Sequence, residues 1–237
     1  MSIVTDFHSH ILPGIDDGSK NLAQSMAMLR LEAEQGVGRV VATPHFYPQY
    51  DTPERFINRR SRAEQLLRQA MQEEPDLPEL YVGAEVYYFP GISQSDAISS
   101  LTISGTRFLL IEMPPPPWTE AMYRELEDLA VKRGYTPIIA HVDRYIGRFR
   151  TFGIPEKLEK LPVFVQANAD FFLERATASM AMRMLKKEQI HLLGSDCHNV
   201  KDRKPNLGPA LERIRQKLGI DVLKGINSYA EEVLAGF

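Results

Sequence analysis

The chain has a single cysteine, Cys197, so no disulfide can form within it. It has no apolar run approaching the ~20 residues a membrane helix needs; stretches such as Phe108-Leu109-Leu110-Ile111 are strand-length. Its formal net charge is only −3 and it has no basic run. That argues against nucleic acid or a membrane surface as partner, while leaving room for a small anion at a local positive site. The start, Met1-Ser2-Ile3-Val4-Thr5-Asp6, lacks the basic region and apolar stretch of a signal peptide. No repeat, low-complexity tail or linker interrupts the 237 residues. The expectation is a soluble, cytoplasmic protein with no membrane insertion, built as one domain over residues 1–237. Its 43% hydrophobic content suffices for a substantial core.

Short apolar runs alternate with amphipathic helical stretches. The runs at 3–8, 39–43, 80–86, 107–112, 136–141, 163–168 and 190–195 are rich in Val, Ile, Leu and Phe with little alternation. That is the pattern of parallel strands covered on both faces. Between them, Leu22, Met26, Leu29 and Ala33 form one helical stripe, with Ser19 as N-cap and Gly36 as stop. Met122, Leu126, Leu129 and Ala130 form a second, closed by Gly134, and Leu207, Leu211, Ile214 and Leu218 a third, closed by Gly219. The segment 53–72 reads as a helix with a charged outer face. Strand-then-helix units imply a parallel α/β sheet, either open or closed.

The chemistry separates these two options. His8 and His10, His45, Glu85, Glu112, His141, and Asp196 with His198 all sit at C-terminal ends of candidate strands. An open sheet lets only strands near its switch point share a site, whereas a barrel brings every strand end to one mouth. A barrel, distorted or incomplete, is therefore expected. His8-Ser9-His10 places two imidazoles on one side of an extended segment, and Asp196-Cys197-His198 repeats the spacing. Glu85 and Glu112 interrupt apolar runs, where a carboxylate is costly unless cations meet it. Nitrogen and carboxylate donors without thiolate suit Zn, Mn or Fe. Five of the six histidines lie at strand ends; His191, which begins its strand, reads as structural.

In order along the chain come Asp6-Phe7-His8-Ser9-His10, Gly14-Ile15-Asp16-Asp17-Gly18, Ala42-Thr43-Pro44-His45, Gly83-Ala84-Glu85, Leu110-Ile111-Glu112, Ile139-Ala140-His141 and Ser195-Asp196-Cys197-His198-Asn199. This series resembles PHP-domain proteins. More closely, it resembles the metal-dependent tyrosine-protein phosphatases of bacterial capsule and exopolysaccharide clusters, and the likeness spans essentially the whole chain. The resemblance implies a distorted seven-stranded (β/α) barrel of TIM type holding three divalent metals, manganese being usual and zinc or iron compatible. It implies that His8, His10, Glu85 and Asp196 bind one metal. Glu85 would bridge to a second metal, held also by Glu112 and His141, and Asp17, His45 and His198 would hold the third. Asp6 and Asp16 would orient ligands. The implied partner is a tyrosine autokinase with a phosphorylated, tyrosine-rich tail, and the alternative substrate within the same domain family is histidinol phosphate.

Arg144 and Arg203 follow ligands closely and are implied to grip phosphate, which a guanidinium fork suits better than lysine. His45 and His198 are the candidate proton donors to the leaving group where not committed as ligands. Phe46, Tyr47 and Tyr50, then Tyr87, Tyr88 and Phe89, then Pro114 to Trp118, follow three of the ligands and suggest an aromatic rim fitted to a phenyl phosphate. Val142-Asp143-Arg144 departs from the resembling family's usual Pro-Glu-Arg, and Asp143, Asn168 and Asp170 carry no assignment.

Cys197 and Arg203 also satisfy Cys-x5-Arg, the signature of cysteine-dependent tyrosine phosphatases. The intervening His-Asn-Val-Lys-Asp has no glycine and carries an acid, so it makes a poor phosphate cradle. Phosphate release is accordingly expected to survive Cys197→Ala and to stop when a chelator strips the metal. The opposite pattern in a phosphate-release assay would restore the cysteine mechanism.

Overall fold

Strand and helix alternate as the apolar pattern predicts. The structure, a computed structural model, describes residues 3–146 and 152–236. In chain order the elements are β1 (Val4–Ser9), α1 (Leu22–Glu34), β2 (Val37–Ala42), β3 (His45–Phe46), α2 (Pro53–Met71), β4 (Glu79–Val82), β5 (Glu85–Tyr87), α3 (Ile98–Leu101), β6 (Phe108–Glu112), α4 (Glu120–Arg133) and β7 (Thr136–Ile139). They continue with α5 (Ile154–Leu158), β8 (Phe164–Asn168), α6 (Ala169–Leu173), α7 (Ala178–Lys186), β9 (Leu192–Gly194), α8 (Leu207–Leu218) and α9 (Ile220–Leu234). Among the described residues no helix is long and apolar enough to cross a membrane.

Helix ends follow local chemistry. Thr52 caps α2 by accepting from the Arg55 N–H, with Pro53 where a missing N–H costs nothing. Gly134 ends α4 at φ 68, a left-handed position that glycine takes without strain. For α1 the expected cap is displaced. Asn21 accepts from the Gln24 N–H, whereas Ser19 Oγ bonds the Asn21 carbonyl and Ser25 Oγ. The core-facing residues of α1 are Ser25, Met26, Met28, Leu29 and Glu32, so a buried glutamate joins the apolar stripe.

Every strand pairing is parallel, in the orders β1-β2-β4 and β3-β5-β6-β7-β8-β9. The two sheets are one curled surface with a kink. Thr43-Pro44 alone separates β2 from β3, and Gly83-Ala84 alone separates β4 from β5. Backbone bonds continue through the kink, from the Gly83 N–H to the Ala42 carbonyl at 2.8 Å and from the Glu85 N–H to the Pro44 carbonyl at 3.0 Å. At the other edge the Asp196 N–H donates to the His8 carbonyl at 2.7 Å and the His10 N–H to the Cys197 carbonyl at 2.9 Å. Gly194 makes that approach possible, because a Cβ there would lie 2.5 Å from Cβ of His8.

Side chains alternate across this curled sheet, giving two cores. Leu109, Ile111, Ile139, Val165 and Leu193 join the larger cluster, with the helices. Phe7, Val41, Leu110, Ile138 and Leu192 face the other way and form a smaller cluster with Ala230 and Val233 of α9. Rows that begin in this inner cluster run on into the polar strand ends, Leu110 to Glu112 and Leu192 through Gly194 to Asp196. The register of β1 is irregular between Asp6 and Ser9, so Phe7 fills the inner cluster while His8 and His10 reach the same mouth.

Past β7 the turn Val142–Arg144 is tied to β8 by Asp143, whose Oδ1 accepts the Asn168 N–H at 2.9 Å. Burial pushes the Asp143 carboxyl up to about 6. With a folded value above the unfolded ~3.9, the native state holds that proton more tightly. The stabilisation is full below about pH 4 and is lost as pH rises through about 6. Asp143→Asn keeps an acceptor and removes the charge. It should match the parent in urea denaturation near pH 4 and exceed it by on the order of 2 kcal/mol near pH 7. A difference that does not change with pH would refute this account.

Candidate metal centre

His8 and His10 bring their Nε2 atoms to 3.2 Å from each other. Oε2 of Glu85 lies 3.3 and 3.4 Å from the two, and Oδ1 of Asp196 lies 3.6 and 3.4 Å from them. Ligands at ~2.1 Å from one ion stand about 3.4 Å apart, so His8, His10 and Glu85 have the spacing of a single divalent-cation site, with Asp196 facing its two imidazoles. Oε2 of Glu85 is fully buried among these rings.

The remaining expected ligands crowd the same mouth, with a somewhat different grouping. Nδ1 of His45 lies 2.8 Å from Oε2 of Glu85, and His45, Glu85 and Glu112 can converge on one point. His141 sits beside that group, its Nε2 2.7 Å from Oε1 of Glu85 and 3.7 Å from Oε1 of Glu112. Asp17 Oδ1 lies 3.5 Å from Nε2 of His45 and 3.4 Å from Nε2 of His198, and His10 joins these three. His45 therefore faces two groups, one through each ring nitrogen. All nine expected ligands come together.

The strand ends are held in unusual conformations to do this. His141 has φ +30 and Asp196 φ +53, left-handed values that cost a side-chain-bearing residue on the order of 1–3 kcal/mol. Burial would raise Glu85 and Asp196, but the His8 charge and hydrogen bonds from His10 hold both well below the usual carboxylate range. Reciprocally, burial would lower His8 and His10, yet the facing carboxylates raise both. His198 goes the other way, pulled by burial and the His10 charge to about 4. The mouth is thus built to accept positive charge.

Behind the ligands runs an orienting network. Asp16 Oδ2 takes Nδ1 of His10 at 2.8 Å and the His45 N–H at 3.0 Å. Asp6 Oδ1 accepts the N–H groups of His8 and Ser195, at 3.0 and 2.9 Å. Gln166 and Asn168 are additions that sequence reasoning did not assign. Gln166 Oε1 meets Nδ1 of His8 at 3.2 Å and accepts the His141 N–H at 2.6 Å. Its amide donates to Asn168, whose own amide donates to Oδ2 of Asp196. The two stand two residues apart at the end of β8, the same spacing that made His8-Ser9-His10 visible. Asp170 accepts from Asn206 and lines a cleft with Arg144, Asp196 and Arg203. Such partners fix ring orientation and tautomer in metal sites.

Deeper still, Asp6, Glu32 and Cys197 are buried together, and burial raises both carboxyls. Sγ of Cys197 lies 3.8 Å from Oε1 of Glu32, turned away from the imidazoles. His191 is structural: Nδ1 accepts the Val165 N–H at 3.1 Å and the ring packs on Phe164 and Tyr229.

Arg144 and Arg203 flank the mouth at 42% and 41% exposure, both on Asp196. The aromatic rim divides. Tyr47 stacks on His45 with 5.0 Å between ring centres, and Tyr87 and Tyr50 lie 5.6 and 6.3 Å from Tyr47. Phe46, Tyr88 and Trp118 belong instead to the core, packed on Phe56, bonded to Glu125 and wedged against Tyr123 and Tyr145 respectively. Burying a large apolar side chain is worth about 1.5–3 kcal/mol, which is their role here.

Comparison with known proteins places this arrangement. A family model described as capsular polysaccharide synthesis, CpsB/CapC, matches residues 4–234. The tyrosine-protein phosphatase YwqE of Bacillus subtilis is 29% identical over 239 residues, covering 97% of this chain and 91% of that protein. The tyrosine-protein phosphatase CpsB of Streptococcus pneumoniae is 29% identical over 226 residues, 90% of each. Among solved structures, the work on YwqE and CpsB, described as unique metal-dependent tyrosine phosphatases, includes a chain that superposes with a TM-score of 0.85 at 27% identity. It covers 98% of this chain and 94% of that one. The curled parallel sheet is therefore shared with that structure, and the chain belongs to the capsular polysaccharide synthesis family CpsB/CapC.

Proposed function

We propose that the chain is a metal-dependent protein-tyrosine phosphatase acting in capsular or exopolysaccharide synthesis, in the cytoplasm. Its substrate would be the phosphorylated, tyrosine-rich tail of a tyrosine autokinase. The observation that carries this reading is the corner in which Nε2 of His8, Nε2 of His10 and Oε2 of Glu85 lie 3.2–3.4 Å apart, with Oδ1 of Asp196 3.4–3.6 Å from the two imidazoles. We assign three divalent cations, manganese by preference, with zinc or iron compatible with the same donors. His8, His10, Glu85 and Asp196 would hold one, Glu85, Glu112 and His141 with His45 alongside a second, and Asp17, His45 and His198 the third. The names of the relatives favour phosphotyrosine over histidinol phosphate, as does the wall of Tyr47, Tyr50 and Tyr87 beside His45.

We read the curled sheet as a distorted seven-stranded barrel of TIM and PHP type within a single domain, 1–237. Supporting this, β2 with β3 and β4 with β5 count as two kinked strands, and backbone bonds join β1 to the segment after β9.

Bound cations would supply an activated water near neutral pH and an electrostatic hold on the phosphoryl oxygens. The chain's own side chains do the rest. Arg144 and Arg203, each a planar fork at the mouth, grip the phosphate. Asp16, Asp6 and Gln166 keep the imidazoles in place. The tyrosines flank the phenyl ring. The leaving phenolate has a pKa near ~10, so it needs little protonation. His198, held near 4, is neutral at pH 7 and suits a ligand better than a proton donor. His45, with a carboxylate facing each ring nitrogen, suits a ligand equally.

Alanine at His8 or Glu85 should abolish hydrolysis of p-nitrophenyl phosphate with manganese added, while circular dichroism shows the fold retained. Near-normal turnover in either would sink the ligand assignment. Gln166→Ala tests the network behind them and should lose about 10- to 100-fold in metal affinity or activity. Unchanged metal content and turnover would show that Gln166 serves packing alone.

A further inference from the structure

We infer that the cleft next to the metal centre is a subsite for an anionic side chain flanking the phosphotyrosine, read by Arg55 and Arg59; this rests on the phosphotyrosine reading above. The cleft has a volume of about 540 Å³. Clefts of about 300–1,000 Å³ take drug-sized ligands, so it has room for the tyrosyl ring and a neighbouring side chain. Asp17 and His45 of the candidate metal centre line it together with Tyr47, Tyr50, Arg55 and Arg59. Tyr50 is 81% exposed, an aromatic ring left at the rim rather than packed.

The two arginines stand four residues apart in the first turns of α2, hence on one face of that helix. They are arranged, not loose. Asp51 receives a hydrogen bond from Arg59 and lies 3.7 Å from Nε of Arg55, and Arg59 Nη1 also donates to the Ile15 carbonyl at 3.2 Å. That carbonyl belongs to the loop carrying Asp16 and Asp17, so the positive wall is anchored to the metal centre's own loop. The other acids of the cleft are engaged inward, Asp16 with His10 and the His45 N–H, Asp17 facing His45 and His198. Among the described residues Asp51 is the one carboxylate within ion-pair reach of the two guanidiniums, so positive charge is locally in excess on that stretch of the cleft. The ligand chemistry is a carboxylate or a phosphate: Asp, Glu or a second phosphotyrosine.

The test compares phosphotyrosine peptides with alanine, glutamate or lysine flanks, and one whose neighbour is a non-hydrolysable phosphonate mimic of phosphotyrosine. All are assayed with the manganese-loaded full chain. The parent should favour the glutamate peptide over the alanine peptide by about three- to tenfold, mainly in KM, a preference that fades with salt. In the pair Arg55→Gln with Arg59→Gln the preference should fall to near unity, and in Arg55→Glu with Arg59→Glu it should pass to the lysine peptide. A larger gain for the phosphonate peptide would assign the subsite to a second phosphotyrosine, and an equal gain to carboxylates. Equal kcat/KM for all flanks in the parent, or a preference that persists in both double variants, overturns the subsite alone. No hydrolysis of any peptide overturns the phosphotyrosine reading and the subsite with it.

Discussion

The polar network of the mouth turns on one carboxylate. Glu85 is 1% exposed, and a charge so buried is tolerable only where opposite charge surrounds it. His8, His10, His45 and His141 all direct a ring nitrogen at it, from the ends of β1 and β7 and from the start of β3 just past the kink. Each of those imidazoles has a further acid or amide partner. The network spreads outward from Glu85 until it includes Asp16, Asp17, Gln166, Asn168 and Asp196. Removing Glu85 would leave several imidazoles facing one another without the anion that makes their proximity affordable.

Such convergence dictates the backbone. Segments that lie far apart in the chain have to end within one mouth, and only a strongly curled parallel sheet does that. Curling brings β1 close to the segment after β9, closer than any side chain on Gly194 would allow. The inner apolar cluster of Phe7, Val41, Leu110, Ile138 and Leu192 then becomes the floor beneath the polar mouth, sealed from the far side by α9. A dry floor lowers the local dielectric, which strengthens each pairing above it and raises the cost of leaving any of them unmade. The left-handed backbone at His141 and Asp196 fits the same logic. Its cost is local and small against the cost of misplacing a buried charge.

Much of this was legible in the sequence, for a physical reason. A histidine or glutamate at the end of an apolar run conflicts with its surroundings, and such conflicts are conspicuous one residue at a time. The seven apolar runs mark the strands, and eight of the nine candidate ligands stand out beside them on that basis, while Asp17, in the loop after β1, comes in only through the resemblance of the motif series. Gln166 and Asn168 escaped because neutral amides at a strand end create no conflict. The two-residue β3 was invisible because its partner-dependent pairing leaves no period to detect. Helices α5, α6 and α7 are short, and α9 begins immediately after the glycine that closes α8, so the stop signal hid the next start. The aromatic rim was half legible. Tyr47, Tyr50 and Tyr87 line the mouth, while Phe46, Tyr88 and Trp118 are core, and the same local composition produces both outcomes according to which way the chain leaves the strand.

The arginines show how the site's electrostatics would respond to loading. Arg144 and Arg203 both lean on Asp196, which also faces His8 and His10. One carboxylate therefore serves two guanidiniums and three imidazoles, His198 being the third. On the proposed reading, His8, His10 and Asp196 would help hold a cation, and Asp196 would then be shared between it and the guanidiniums. Arg144 and Arg203, half-exposed at the rim, would keep donor capacity for a dianionic phosphate. The same reasoning disposes of the cysteine. Cys197 stands between two ligands in sequence, yet strand alternation turns its thiol toward Glu32 and Asp6, where burial and two acids raise its pKa well above the ordinary value. A thiol so placed is not a nucleophile; the backbone that would present it is occupied in presenting Asp196 and His198.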